Sequence, residues 1–212
     1  MFVVQPGRAA PAFPAIPAVG AAPRAAPGGS VPDRPFEVLV ICSGNTCRSP
    51  MTLQVLREFL RRAGLDPDVT AASAGLAVAV PGGPVDPRAI AALAMRGYGG
   101  IEHRARQFEP AMLARADLVL GLDSGHRAEL RRIAARSGAV TPVRLLRSAR
   151  LDDAGPGSGP DGALDVPDPF AGSLRDYLRT LDLIEAAMPG VIAVVRAMRQ
   201  RRPYSSAERG SE

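Results

Sequence analysis

Apolar and polar positions of this chain fall into alternating blocks that predict strands and helices in turn. The first block, Phe36–Ile41, is a nearly continuous, β-branched apolar run, which is typical of a strand covered on both faces. It ends at Cys42 and is followed by a polar turn at 43–49. Pro50 suits the first position of a helix, and leucines at helical spacing continue that helix to Gly64. The amino-terminal unit is therefore predicted to be strand, tight polar loop and helix.

The same alternation continues along the chain and predicts an α/β fold. It implies a three-layer sandwich, with a central four-stranded parallel sheet, helices on both faces and a phosphate-binding loop after the first strand. Ligands bind such sheets at the carboxyl ends of the strands, where Cys42 lies. The further predicted elements are strands at about 68–74, 117–122 and 142–146, helices at about 87–96 and 124–137, a long loop at 151–169, and a helix from about 174 that is interrupted or kinked near Pro189.

Composition divides the chain into three parts. Residues 1–33 are rich in Ala, Pro and Gly and are predicted to form a disordered arm. Residues 34–198 are enough for one domain with its own core, and 199–212 are expected to form a flexible tail. No window approaches the roughly 20 unbroken apolar residues of a membrane-spanning helix, and the amino terminus lacks the basic region of a secretory signal. We therefore expect no membrane association.

Charge and cysteine content narrow the function further. The formal net charge of +5 comes from arginine, since the sequence contains no lysine, and the arginines do not form a stripe with aromatic residues. Nucleic-acid binding is therefore not expected. The two cysteines are too close together to close a long loop, and they lack the further Cys and His partners of a zinc site. This pattern predicts a cytoplasmic protein without a metal or other cofactor.

The turn after the first strand has the chemistry of an anion site. A tight loop that leads into a helix offers backbone N–H groups and the helix dipole to a phosphate, and residues 43–49 provide such a loop. The same positive field favours the thiolate form of Cys42, which is the nucleophilic form. Arg48 adds a planar fork of donors that matches two phosphate oxygens. Gly44 allows close backbone approach, and Asn45 tolerates a left-handed conformation.

A family resemblance supports this chemistry. The run from Val40 to Pro50, VICSGNTCRSP, resembles the signature of low-molecular-weight protein tyrosine phosphatases. The resemblance extends over about residues 36–195 and implies that family's fold, with no metal required. Further landmarks in the family's order are Ser73-Ala74-Gly75, Asp86-Pro87-Arg88, His103 to Gln107, Ala116 to Leu120 and Asp168-Pro169-Phe170.

The resemblance also implies catalytic roles. Cys42 would attack phosphorus to form a phosphocysteine, and Asp168 would protonate the leaving group and then activate water. The chemistry agrees, because the leaving oxyanion needs a proton donor and negative charge nearby favours the protonated form of a carboxyl group. Asp165 is a competing acid, but the Asp-Pro-aromatic context favours Asp168.

Supporting residues follow from the same resemblance. Ser73 and His103 would brace the loop through hydrogen bonds, together with Asn45 and Ser49 of the loop itself. Asp123 would orient Arg48, although it could also be only a helix N-cap, and His103 only a satisfied polar residue. The loop comprises Ser43, Gly44, Asn45, Thr46, Cys47, Arg48 and Ser49.

Two positions are predicted to form the pocket wall, and one cysteine has two interpretations. Ala79 falls where some family members place a bulky aromatic residue, so the pocket is expected to be wide, and Phe170 supplies an aromatic wall. Cys47 could form a reversible disulfide with Cys42 that protects it from overoxidation, or it could be simply a small packed residue.

The substrate is less closely determined than the reaction. Phosphotyrosine fits a deep cleft with an aromatic wall. The threonine at position 46, however, makes the loop similar to that of bacterial protein arginine phosphatases, in which a polar residue at that position favours phosphoarginine. We expect phosphotyrosine first and phosphoarginine second. Arsenate reduction with a small thiol and a silent phosphoprotein-binding module are weaker alternatives. The expected partners are tyrosine- or arginine-phosphorylated proteins. A cognate kinase could also modify Tyr98, Tyr177 or Tyr204, of which Tyr204 in the tail is the most accessible, but ordinary surface tyrosines are the simpler interpretation.

Overall fold

The computed structural model describes residues 34–148 and 162–201. The predicted arm at 1–33, most of the predicted loop at 151–169 and all but the first residues of the predicted tail lie outside the described residues. The elements are β1 (Phe36–Cys42), α1 (Arg48–Arg62), β2 (Val69–Gly75), α2 (Pro87–Met95), α3 (Ala111–Arg115), β3 (Leu118–Gly121), α4 (Ser124–Ser137), β4 (Val143–Leu145), a 3₁₀ turn (Leu146–Ser148) and α5 (Leu174–Arg201).

The four strands form one parallel sheet in the order β2-β1-β3-β4. Strand β1 is central, and its last residue, Cys42, pairs with Gly75 at the end of β2. On its other side Ile41 pairs with Gly121, at the end of β3. The carboxyl ends of three strands therefore meet around Cys42, as expected from the alternating pattern.

Two apolar clusters cover the two faces of the sheet. Val38 and Val40 of β1 belong to the cluster that includes the buried residues of α1, α2 and α5. Leu39 and Ile41 point the other way and pack with residues of α3 and α4. Successive side chains of a strand face opposite sides, so an unbroken apolar run fills both clusters. The predicted three-layer sandwich is confirmed.

The start of α1 differs from the prediction. The helix begins at Arg48, with Cys47 at the N-cap, so Pro50 occupies its third position instead of its first. Proline fits there because the first four N–H groups of a helix have no intrahelical acceptor. The earlier start places Arg48 in the helix, where its backbone is held rigidly. The short α3 and the 3₁₀ turn were not predicted.

Of the interruption or kink expected near Pro189, the interruption is absent, and the kink stays a prediction. Helix α5 runs from Leu174 through Pro189 to Arg201. Proline removes only one helix hydrogen bond, and Met188, Val191 and Ile192 are buried on both sides of it, so packing retains the helix. Despite its length, neither α5 nor another helix within residues 34–148 and 162–201 is long and apolar enough to cross a membrane.

Candidate active site

The loop between β1 and α1 wraps around the sulfur of Cys42. Cys42 is only 2% exposed, and the backbone N–H of Asn45 points to its Sγ at 3.3 Å. Asn45 has a φ of 55°, the left-handed conformation that asparagine tolerates better than most residues. This conformation turns the loop back towards the start of α1. The amide of Asn45 therefore lies close to the sulfur.

Ser49 makes a second contact to the same sulfur. Its Oγ lies 3.0 Å from Cys42 Sγ and accepts a hydrogen bond of 2.8 Å from Asn45 Nδ2. A thiolate can only accept a hydrogen bond, so the Ser49 hydroxyl is the donor when Cys42 is ionised. A hydroxyl donor and a backbone donor thus face Cys42 Sγ, and both stabilise negative charge there.

Asn45 is completely buried and holds the loop to its surroundings. Besides Ser49, its Nδ2 donates to Ser73 Oγ at 3.0 Å, and its Oδ1 accepts from the backbone N–H of Arg106 at 2.8 Å. Its carbonyl lies 3.0 Å from His103 Nε2, which must donate because a carbonyl only accepts. Burial lowers the pKa of His103, which favours the neutral ring. The structure thus brings Asn45, Ser49, Ser73 and His103 together, as the resemblance implies.

Gly75 allows the loop to lie against the end of β2. A Cβ added to Gly75 would lie 2.5 Å from the carbonyl oxygen of Ser43, 2.7 Å from Val78 Cγ2 and 3.0 Å from the backbone nitrogen of Asn45. Two of these atoms belong to the loop backbone and cannot turn aside as a flexible side chain can. Any larger residue would have to move the loop.

Gly75→Ala is therefore expected to weaken anion binding. Overpacking costs about 1–3 kcal/mol, and we expect the inhibition constant for inorganic phosphate to rise about tenfold, which corresponds to ~1.4 kcal/mol. Gly100→Ala is the matched control, because no atom from elsewhere in residues 34–148 or 162–201 lies within 4 Å of a Cβ at Gly100. Equal inhibition constants in the two variants would contradict the close approach.

Arg48 lies behind the loop and links two carboxylates. Its side chain is 5% exposed, and its Nη1 donates to Asp123 Oδ2 at 2.7 Å and to the carbonyl of Val166 at 3.2 Å. Its Nη2 donates to Asp168 Oδ2 at 2.7 Å. Asp123 also accepts from the backbone N–H of His126 at 2.7 Å, so it is both the N-cap of α4 and a partner of Arg48. The two interpretations of Asp123 are compatible.

His126 is a site residue that was not predicted from the sequence. Its ring is almost fully buried, and Nε2 lies 2.9 Å from Ser43 Oγ. Nδ1 lies 3.0 Å from Asp123 Oδ1, which is within ion-pair distance. It makes no hydrogen bond to any residue that the structure describes. Although burial opposes ionisation, contacts from His126 and Arg48 hold the pKa of Asp123 below its ordinary value. The available signal was the spacing of Asp123 and His126, which places them on one turn at the start of α4.

Cys47 lies at the end of the loop, beneath α5. Its Sγ is 3.2 Å from the hydroxyl oxygen of Tyr177 and 3.7 Å from Thr46 Oγ1. Burial raises the pKa of the Cys47 thiol, despite the hydrogen bond with Tyr177. Both Cys42 and Cys47 are free thiols, so the disulfide between them stays a prediction.

One cavity of about 500 Å³ opens over these groups. Its floor contains Cys42, and Thr46 and Asp168 reach it from the side. Both predicted wall residues line it: Ala79, and Phe170, which is 61% exposed at the mouth. The wall is otherwise largely apolar and includes Ala77, Val80 and Pro84.

Asp165, the competing acid, does not line this cavity. Its carboxylate accepts hydrogen bonds from the backbone N–H of Ser124 at 2.7 Å and from its hydroxyl at 3.0 Å. The carboxylate is thereby held at the start of α4. Asp168 is the carboxylate that meets Arg48 in the cavity, on a segment that we call the Asp168 loop (residues 166–173). Within residues 34–148 and 162–201, no cluster of three or more His, Cys, Asp or Glu side chains could hold a metal ion.

Comparison with known proteins gives a consistent result. The family model described as low molecular weight phosphotyrosine protein phosphatase matches residues 37–201. A low molecular weight protein-tyrosine-phosphatase of Streptomyces coelicolor is 44% identical over 161 residues, which cover 76% of this chain and 94% of the relative. A protein-arginine-phosphatase of Bacillus subtilis is 32% identical over 150 residues, which cover 71% of this chain and 90% of the relative.

A solved structure agrees with these relatives. The low molecular weight protein tyrosine phosphatase of T. tengcongensis has a TM-score of 0.61 at 27% identity, covering 74% of this chain and 98% of that chain. Fold, loop and relatives together define the class of the protein as a phosphatase, a hydrolase that removes phosphate groups. More narrowly, the chain belongs to the low molecular weight phosphotyrosine protein phosphatase family.

Proposed function

We propose that this protein hydrolyses phosphotyrosine in other proteins through a phosphocysteine at Cys42. One observation carries the proposal: a thiol, a guanidinium and a carboxylate from Cys42, Arg48 and Asp168 meet in one cavity. These are the nucleophile, the phosphate-binding group and the proton donor that a phosphate transfer to sulfur requires.

The first step transfers the phosphoryl group to sulfur. The loop amides and Arg48 bind the phosphate oxygens. The Cys42 thiolate forms the sulfur–phosphorus bond with its own electron pair while the bond from phosphorus to the tyrosine oxygen breaks. Asp168, in its protonated form, gives its proton to that oxygen, so tyrosine leaves neutral and Asp168 becomes a carboxylate.

The second step releases phosphate. Asp168 accepts a proton from water as the water oxygen attacks phosphorus, and the sulfur–phosphorus bond breaks to restore the thiolate. In the structure described here, Asp168 is paired with Arg48 Nη2 at 2.7 Å. A bound phosphate dianion would compete with this carboxylate for the guanidinium, which frees Asp168 to face the leaving oxygen.

The cavity favours an aromatic substrate. Cys42 lies at its floor, and the side walls are mainly apolar. The exposed ring of Phe170 at the mouth offers a face on which a tyrosine ring can stack. A phosphate on a long, flat side chain can reach the sulfur while its ring contacts apolar lining residues such as Phe170 and Val80.

Thr46 supports phosphoarginine as a second candidate. It lines the same cavity as Cys42 and adds a hydroxyl group to a wall that is largely apolar. The relative from Bacillus subtilis is named a protein-arginine-phosphatase. A hydroxyl at this position could accept a hydrogen bond from a guanidinium N–H of the substrate.

Phosphate release from matched phosphotyrosine and phosphoarginine peptides tests the proposal. The wild-type protein and Cys42→Ser are compared under reducing conditions without added metal. We expect Cys42-dependent release, faster from the phosphotyrosine peptide. Faster release from phosphoarginine would favour the second candidate, and no release from either peptide would refute the proposed activity.

Thr46→Val separates the two substrates, because it removes the hydroxyl and keeps the shape of the side chain. We expect kcat/KM for phosphotyrosine to change less than about threefold, since no hydrogen bond to a tyrosine ring is lost. A loss of about tenfold or more on phosphoarginine would correspond to one hydrogen bond to a charged group. An equally large loss of kcat/KM on phosphotyrosine would show that the Thr46 hydroxyl does not distinguish the two substrates.

The cellular setting is also a proposal. The two free thiols suit a reducing compartment, and the relatives described above are bacterial. We therefore propose that the protein acts in the cytoplasm of a bacterium. A kinase that makes the phosphorylated substrates would be the enzymatic counterpart. If that kinase also modified this chain, Tyr98 and Tyr177 would be poor targets because they are 5% and 0% exposed. Tyr204 lies outside the described residues.

A further inference from the structure

We propose that Arg88 is a positioning residue that holds the Asp168 loop in register with the phosphate-binding loop. The kinetic consequences of this proposal rest on the proposed function. The structural part stands on contacts that involve neither Cys42 nor a substrate. Arg88 lies in the first turn of α2, outside the residues that line the cavity.

The first contact set joins Arg88 to the Asp168 loop. Its Nη2 donates to the carbonyl of Phe170 at 2.8 Å, and its Nη1 donates to the carbonyl of Gly172 at 2.7 Å. Within that loop, the backbone N–H of Phe170 donates to Asp168 Oδ1 at 3.2 Å. The Arg88 guanidinium thus donates to two carbonyls of one turn. A backbone N–H of the same turn donates to the carboxylate of Asp168, the proposed acid.

The second contact set fixes the guanidinium itself. Asp86 binds it through both oxygens, to Nε at 3.0 Å and to Nη2 at 2.7 Å. The guanidinium carbon also lies 5.0 Å from the centre of the Tyr177 ring, a cation–π contact. A planar group held on two sides in this way presents its remaining N–H groups in one direction, which lysine cannot reproduce.

The third contact set continues to the phosphate-binding loop. The backbone N–H of Asp86 donates to the carbonyl of Thr46 at 2.9 Å. The hydroxyl of Tyr177 lies 3.2 Å from Cys47 Sγ. Both residues that hold Arg88 therefore also touch the loop around Cys42. A continuous chain of contacts runs from that loop to the turn that carries Asp168 and Phe170.

This arrangement has a specific kinetic consequence. If Arg88 positions Asp168, loss of the Arg88 side chain should impair protonation of the leaving group and leave the phosphate-binding loop intact. Rates should then fall most for substrates whose leaving group needs a proton. A residue that merely supported the fold would lower all rates together.

The experiment compares Arg88→Met and Arg88→Lys with the wild type on aryl phosphates of poor and good leaving groups, phenol and p-nitrophenol. For Arg88→Met we expect kcat/KM, which reports the step in which the leaving group departs, to fall about tenfold or more on phenyl phosphate and less than about threefold on p-nitrophenyl phosphate. The inhibition constant for inorganic phosphate should stay within about twofold. Arg88→Lys should recover only part of the loss. Arg132→Met is the control, since Arg132 pairs with Glu129 on the surface of α4.

A double variant distinguishes positioning from general damage. Because Arg88 acts through Asp168, Arg88→Met combined with Asp168→Asn should be no slower on phenyl phosphate than Asp168→Asn alone. Losses that multiply in the double variant, or equal losses on both leaving groups, would overturn the proposal.

Hydrogen exchange tests the structural part without any turnover. Amides at 168–173 should exchange faster in Arg88→Met than in the wild type and in Arg132→Met, and those of β1 should not change. Unchanged exchange at 168–173 would overturn the proposal even in an active enzyme. Faster exchange in a protein that releases no phosphate would instead uphold the contact and refute the proposed function. If Arg88→Met does not fold, the same comparisons are made with Arg88→Lys.

Discussion

Cys42→Ser is expected to abolish turnover while preserving phosphate binding. A serine hydroxyl at neutral pH is a far weaker nucleophile than a thiolate. The groups that the described part of the chain places within hydrogen-bond distance of Cys42 Sγ, the Asn45 amide and the Ser49 hydroxyl, are not bases. We therefore expect kcat to fall by roughly 10⁴-fold or more. The contacts from the backbone of Asn45 and from Ser49 Oγ can be made to an oxygen as well. The inhibition constant for inorganic phosphate should therefore change less than about threefold.

The matched comparison is Cys47→Ser, which makes the same exchange five positions along the loop. Its turnover should exceed that of Cys42→Ser by at least about 100-fold, because it retains the nucleophile. Acid quenching during turnover, followed by mass spectrometry, should locate the phosphate on Cys42. Turnover retained by Cys42→Ser would reject Cys42 as the nucleophile.

Asp168→Asn is expected to have the second largest effect, and the effect should depend on the leaving group. Asparagine keeps the shape of the side chain but has no acidic proton. On phenyl phosphate we expect kcat/KM to fall about 10²–10⁴-fold, the usual contribution of general acid catalysis. On p-nitrophenyl phosphate the first step should be much less affected, because that leaving group departs without help.

Asp165→Asn is the control, since it makes the same chemical change three positions earlier. Asp165 binds Ser124 and does not line the cavity. Its variant should keep the wild-type ratio of the kcat/KM values on the two aryl phosphates. If Asp168→Asn also kept that ratio, Asp168 could not be the proton donor, whatever its absolute rate.

Local pattern was enough to predict most of the fold. The unbroken apolar run of β1 indicated burial on both faces, and Leu39 and Val40 do pack on opposite sides of the sheet. The helix predicted at about 124–137 ends at Gly138, which has the left-handed φ of 68° that is common just after a helix. Such features depend on residues that are close in the chain, so the sequence displays them directly.

Local pattern was misleading where packing overrides propensity. Pro189 predicted an interruption because the residue itself disfavours a helix interior. Its neighbours in α5 are buried against α1 and α2, and this burial outweighs one lost hydrogen bond. Pro50 led to a start of α1 that was too late, because proline is compatible with several positions of the first turn.

The chemical groups of the site could be predicted from local sequence, because Cys42 and Arg48 lie in one short motif and Asp168 has a recognisable local context. Only the tertiary structure showed that Gly75 must lack a side chain, that His126 contacts Ser43, and that Arg88 holds the Asp168 loop. The physical reason is the sheet order, which places β1 between β2 and β3 and gathers residues distant in the chain at one edge. Contacts between such residues have no period or spacing in the sequence that could reveal them.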